Sequence, residues 1–214
     1  MTEWVGLLAL GLLLGVRHAL DPDHVIAIGT ISARTPSIRR SVAVGALWGL
    51  GHTLTILGVG GTIVLVQGAI SPRAGLAMEF GVAFMLIALG LLNLINARHA
   101  DPPEPSRVRP FIIGMVHGMA GSAAVALLVL ATINDPVLGM SYLLLFGMGT
   151  IVGMIVVTTV MTVPMTMVVS RAMVSRRWLT AAAGVVSLVF GVLMVQWLGG
   201  PLALFAADPS FIPR

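Results

Sequence analysis

The chain of 214 residues has no cysteine and no lysine, a single tyrosine, and only 9% charged residues. Without cysteine there is no disulfide, thiolate metal site or thiol catalysis. A soluble domain carries about 25% charged residues, so the charge content excludes an ordinary soluble fold. The net charge of +4 and pI of about 11.3 come from 12 arginines. These sit in short clusters between apolar runs, with no strand-and-aromatic pattern for stacking bases, so no nucleic-acid partner is expected. Met1 to Glu3 lacks the basic start of a cleavable signal peptide, and the first helix is expected to belong to the mature protein.

What is present is apolar: 57% hydrophobic residues and a mean hydropathy of +1.03. A membrane helix needs about 20 such residues. Six segments qualify, near 4–33, 41–68, 75–97, 110–133, 138–170 and 178–200. Turn residues separate them, among them Thr35-Pro36, Ser71-Pro72, Asp101-Pro102-Pro103, Asn134-Asp135-Pro136 and Ser175-Arg176-Arg177. The expected fold is an all-α membrane protein of about six transmembrane helices, a single transmembrane domain over residues 1–214. The first segment is long for one span, and must tilt, protrude or bend.

Arginine placement predicts the topology. Loops one, three and five hold nine arginines, whereas loops two and four and the C-terminal tail hold two, Arg73 and Arg214. The positive-inside rule then puts the odd loops in the cytoplasm and both termini outside a prokaryotic plasma membrane. A weak internal repeat accompanies this pattern. Gly15-Val16-Arg17-His18 resembles Gly114-Met115-Val116-His117, and Trp48-Gly49-Leu50-Gly51 resembles Phe146-Gly147-Met148-Gly149, at offsets of 99 and 98. Three helices per repeat implies halves inverted across the membrane, with a substrate site at their interface. Small residues four apart (Gly11/Gly15, Gly45/Gly49, Gly114/Gly118, Gly149/Gly153) suit close helix packing.

The chemistry concentrates in Arg17-His18-Ala19-Leu20-Asp21-Pro22-Asp23-His24. A charge at the centre of a membrane helix costs about 2.5–3.5 kcal/mol on insertion scales, so such a cluster marks a functional site. In an unbroken helix His18, Asp21 and His24 share one face. Pro22 disturbs that helix: either it kinks, or Asp21 caps a new helix that starts at Pro22. In both cases Asp23 can swing toward the histidines. Arg17 is expected to pair with Asp21 four residues on. His52 and His117 bring two more imidazoles inside spans, and His99 reads as a solvated surface group. Glu79 reads as interfacial, and Asn93 and Asn96 as helix glue or support for the site. Imidazole with carboxylate suits a first-row divalent ion, so His18, Asp21, Asp23, His24, His52 and His117 are the candidate metal residues. The 13 scattered methionines read as packing.

His18-x4-Asp23-His24 resembles the first signature of the nickel–cobalt transporter family, and Gly51-His52-Thr53 resembles its second. The resemblance implies a metal role for His18, Asp23, His24 and His52, and uptake of Ni²⁺ first and Co²⁺ second as transported substrates, with no cofactor. It covers about the first 60 residues. The family's later Asp-Thr-Ala-Thr-Glu motif is absent, and the usual member has about eight helices. Residues 114–124 are instead similar to shorter relatives, the urease-accessory nickel permeases. An enzyme is not expected, although His18-x4-Asp23 also matches the core of glycerolipid acyltransferases. An intramembrane hydrolase or acyltransferase and a metal-sensing or accessory subunit are the alternatives. The expected partners are the metal ion and the lipid bilayer, with a homo-oligomer left open.

Overall fold

The computed structural model describes residues 2–35, 37–66, 71–99, 106, 108–119, 129–130, 132–133, 135–171 and 175–205. Among these are seven α-helices: α1 (Thr2–His18), α2 (Pro22–Ser32), α3 (Ile38–Val66), α4 (Pro72–Asn96), α5 (Val108–His117), α6 (Pro136–Arg171) and α7 (Arg176–Trp197), followed by a 3₁₀ turn, Pro201–Phe205. The chain is an all-α membrane protein. Among the described residues four helices are long and apolar enough to cross a bilayer, and α1 with α2 passes the same test together as a pair bent by 53°. The expected fourth segment, 110–133, begins with α5, and much of its remainder lies outside the described residues.

Polarity runs opposite to that of a soluble core. Leu13, Phe84, Val137 and Val160 face outward, while His24, His52, His117, Thr150, Thr158 and Ser187 are fully buried. That arrangement suits a chain solvated by hydrocarbon, where polar groups must find partners inside.

The long first segment resolves its length by breaking. Pro22 has no N–H for the carbonyl of His18. That carbonyl accepts instead from the Asp21 N–H at 3.1 Å, a tighter 3₁₀-type closure. Asp21 then takes extended φ/ψ of −60° and 143°, Pro22 opens α2, and the two helices diverge by 53°. The bend directs α2 into the centre of the molecule, where eight of its 11 residues are buried. Ala27, Ile28 and Ile31 meet Trp48, Leu86, Ile113 and Met154 there.

Around α2 the other helices pack by backbone approach. α3 lies along α6, α4 along α7, α1 along α6, and α5 along α3. A Cβ added at Gly15 would overlap the carbonyl oxygen of Phe146, and one at Gly114 would overlap that of Trp48. Gly149 against Leu12 and Gly51 against Phe111 form a second such pair. A third is Gly90 against the oxygen of Gly184 at 2.7 Å and Gly191 against that of Ala83 at 2.8 Å. In each pair the second contact is the first one shifted by 98 to 101 residues, with the halves exchanged. Side-chain hydrogen bonds also join helices. Thr53 Oγ1 donates to the Gly147 carbonyl at 3.1 Å, Ser187 Oγ to that of Leu86 at 2.8 Å, and Asn93 Nδ2 to that of Thr30 at 2.8 Å. Asn93 is therefore helix glue, joining α4 to α2.

Candidate metal centre

The break at Pro22 assembles the centre. It ends α1 on His18 and starts α2 so that Asp23 and His24 turn inward. His52 stands at the midpoint of the 29-residue α3, about 21 Å from either end at 1.5 Å per residue. His117 closes α5. All four imidazoles and Asp23 are buried, none more than 8% exposed.

Two three-residue groups result, and they share one member. His18, His24 and His52 can each offer one ligand atom within 4.8 Å of the others, and so can Asp23, His24 and His117. The His18 and His52 Nε2 atoms are 3.0 Å apart. Two nitrogens bound at right angles to one divalent ion, each at a bond length of about 2.0–2.1 Å, stand about 3 Å apart. The ring centroids of His24 lie 4.6 Å from those of His18 and His117, and 5.1 Å from that of His52.

Carboxylates orient these rings. An ionised carboxylate only accepts, so Asp21 Oδ2, 2.8 Å from His18 Nδ1, holds the proton on that nitrogen and leaves the Nε2 lone pair facing His52. Asp23 Oδ1 does the same for His24 Nδ1 at 3.1 Å. The other Asp23 oxygen lies 3.4 Å from His117 Nε2. Among the described residues His24 Nε2, His52 Nδ1 and both His117 nitrogens have no hydrogen-bond partner. Buried polar atoms are normally satisfied, and unpartnered nitrogens on three of these clustered imidazoles fit a centre built to accept a cation.

Five of the six sequence-predicted residues thus meet. Asp21 stands outside both groups, behind His18, with its side chain 28% exposed. The Arg17–Asp21 pair does not form: Asp21 bonds His18, and Arg17 is exposed. The break removes the i,i+4 register on which that pair depended. His99 is exposed on the C-terminal side of α4, its Nδ1 3.0 Å from the Ile95 carbonyl. Glu79 is half-buried near the start of α4.

Two aromatic walls escaped the sequence reading. The Trp48 ring centroid lies 5.4 Å from that of His117, and the Phe146 centroid 5.4 Å from that of His18. Trp48 and Phe146 occupy matched places in the two similar segments, so the repeat was the signal that could have found them.

Residues 4–100 match the family model NicO, high-affinity nickel-transport protein. The chain is also 34% identical over 220 residues to the urease accessory protein UreH of Bacillus sp. (strain TB-90), covering 95% of this chain and 96% of that protein. The chain belongs to the NicO family. Two further relatives are more distant. The NicO chain is 27% identical over 176 residues to the Arabidopsis thaliana chloroplast protein FOR GROWTH AND FERTILITY 2, covering 72% of this chain and 45% of that one. It is 26% identical over 178 residues to FOR GROWTH AND FERTILITY 1 of the same plant. No solved structure matches the chain. Membership gives this protein a nickel-transport or accessory role, with Ni²⁺ as the substrate, and sets it apart from enzymes.

Proposed function

We propose that this chain takes up Ni²⁺, and Co²⁺ second, through the two joined groups around His24. The observation that carries the reading is the sharing of one buried imidazole between His18/His52 and Asp23/His117. An ion held by the first group reaches the second by exchanging partners about a common ligand. Two carboxylates, Asp21 and Asp23, balance a dication where an uncompensated charge would be costly. Metal entry between the His18 and His52 Nε2 atoms moves the His52 proton to its unpartnered Nδ1, so that both facing nitrogens offer a lone pair while each ring stays neutral. The membrane potential drives uptake: two charges across 100 mV gain about 4.6 kcal/mol, over a thousandfold accumulation.

The rest of the reading follows the same line. Residues 1–214 form one transmembrane domain of two inverted halves, supported by the three matched pairs of glycine contacts and by the crossing of His18 to Phe146 and His117 to Trp48. Both termini lie outside a prokaryotic plasma membrane, as the arginine distribution favours. A homo-oligomer is compatible with this arrangement.

Asp21 acts here through His18. Asp21→Ala is expected to lower nickel affinity about 10–100-fold, the usual effect of losing a carboxylate behind a ligating imidazole. Asp21→Asn recovers part of it, because the amide oxygen still accepts from Nδ1. Isothermal titration of purified protein checks both, and affinity unchanged in Asp21→Ala contradicts this role.

An accessory role without transport is the second reading, favoured by the name of the Bacillus relative. Purified wild-type chain in liposomes separates the two. Ni²⁺ entry above protein-free liposomes under an inside-negative potential supports the carrier. Tight nickel binding with no entry supports the accessory role.

A further inference from the structure

A different aromatic ring stands against each of the two three-residue groups, and the two rings lie at different depths. The register of α3 on α6 shows this. A Cβ added at Gly45 would meet the Cα of Ile155 at 2.7 Å, one at Gly49 the Cα of Ile151 at 2.7 Å, and one at Gly147 would overlap Thr53. The two helices are therefore antiparallel, and Phe146 is level with Leu54. Trp48 is six residues from that level, toward loop one, or about 9 Å at 1.5 Å per residue. His52 lies between the two levels. Phe146 faces His18, with 5.4 Å between ring centroids. Trp48 faces His117 at 5.4 Å and stacks on His24 at 6.4 Å, with 22° between the planes. An ion that passes from His18 and His52 to Asp23 and His117 thus moves toward Trp48.

Beyond Trp48 the bundle is closed. Its side chain is fully buried. It shares one apolar cluster with Val44, a turn nearer loop one, and with Ala27, Ile28 and Ile31 of α2. Trp48 is the member of that cluster in ring contact with the imidazoles. No polar contact locks the ring in place: its Nε1 is buried and has no hydrogen-bond partner among the described residues. An indole N–H can only donate, and a buried one usually finds an acceptor. Water that reaches the ring as it turns supplies that acceptor. The closed position therefore gives up a hydrogen bond that an open one makes.

We propose that Trp48 is the barrier between the metal centre and the loop-one face, and that its displacement lets the ion pass there. The proposal rests on the carrier reading, and its test uses no nickel. The chain has no cysteine, so His52→Cys supplies a single thiol one turn, about 6 Å, behind Trp48 as seen from loop one. The full-length variant is labelled in right-side-out and in inverted membrane vesicles with a membrane-impermeant, cationic methanethiosulfonate. Arg39→Cys, exposed in the first turn of α3, identifies the vesicles that present loop one. From that face the thiol at position 52 is expected to react slowly. Adding Trp48→Ala is expected to speed the reaction at least about tenfold, since a minor open state is populated at about 0.1–10%. Trp48→Val is expected to give a smaller rise, and it carries the test if the alanine variant does not fold. Trp48→Phe keeps a ring in place and is expected to restore slow labelling. Phe146→Ala removes another buried ring at the other end of the centre, and is expected to leave labelling from the loop-one face unchanged. Labelling no faster in Trp48→Ala and Trp48→Val than with Trp48 present overturns the proposal. So does an equal rise in Phe146→Ala, because any truncation would then loosen the bundle. If wild-type liposomes admit no Ni²⁺ while Trp48→Ala still opens position 52, the carrier reading fails and the barrier stands.

Discussion

His24→Ala is expected to lower nickel affinity by well over the roughly 10–100-fold that a supporting residue is worth. The reason is position. His24 is fully buried and belongs to both three-residue groups. Its Nε2 has no hydrogen-bond partner among the described residues, while Asp23 fixes its other nitrogen. Removing it leaves His18 with His52, and Asp23 with His117, as two incomplete pairs with no ligand in common. Equilibrium dialysis of nickel against purified protein measures this, with the thermal midpoint recorded to show that the variant remains folded. His99→Ala is the matched control, since His99 is exposed and belongs to neither group. Affinity of His24→Ala within threefold of wild type contradicts the placement of the site.

The second large effect is on stability. Gly15→Ala and Gly114→Ala are each expected to destabilise by about 1–3 kcal/mol, the range for overpacking a close-packed seam. Each new Cβ meets a backbone carbonyl, of Phe146 or of Trp48, which cannot rotate away as a side chain can. The helices must separate, and both seams border the histidines. Gly81→Ala is the contrasting change. Nothing lies within 4 Å of its added Cβ, and alanine gains up to about 1 kcal/mol of helix propensity over glycine. Thermal unfolding in detergent should therefore fall for Gly15→Ala and Gly114→Ala by similar amounts, and hold or rise for Gly81→Ala. Unequal losses would count against equivalent seams. No loss in either variant would count against the close approach itself.

Much of this architecture was legible in the residues because a membrane enforces simple rules. Apolar runs bounded by arginine and proline mark out helices, and the run 75–97 overlies the helix Pro72–Asn96. Pro22 announced the break, and the alternative with Asp21 before a new helix is the one found. The ionisable cluster stood out because each member is costly in hydrocarbon. What escaped the reading depends on contacts between distant segments. Arg17 could be matched to Asp21 only on an unbroken helix, and the break gives Asp21 to His18 instead. The sharing of His24 by two groups needs the position of α5, and no spacing encodes it. Trp48 read as part of a glycine motif, because its neighbour His117 is on another helix.

The central claim is that nickel crosses through the histidine–aspartate centre, and uptake into liposomes tests it most directly. Wild type, His24→Ala and His99→Ala are reconstituted at equal density, and Ni²⁺ entry is followed under the same inside-negative potential. Wild type and His99→Ala should accumulate Ni²⁺ while His24→Ala stays at the protein-free level. Entry through His24→Ala at the wild-type rate would place the path elsewhere in the molecule.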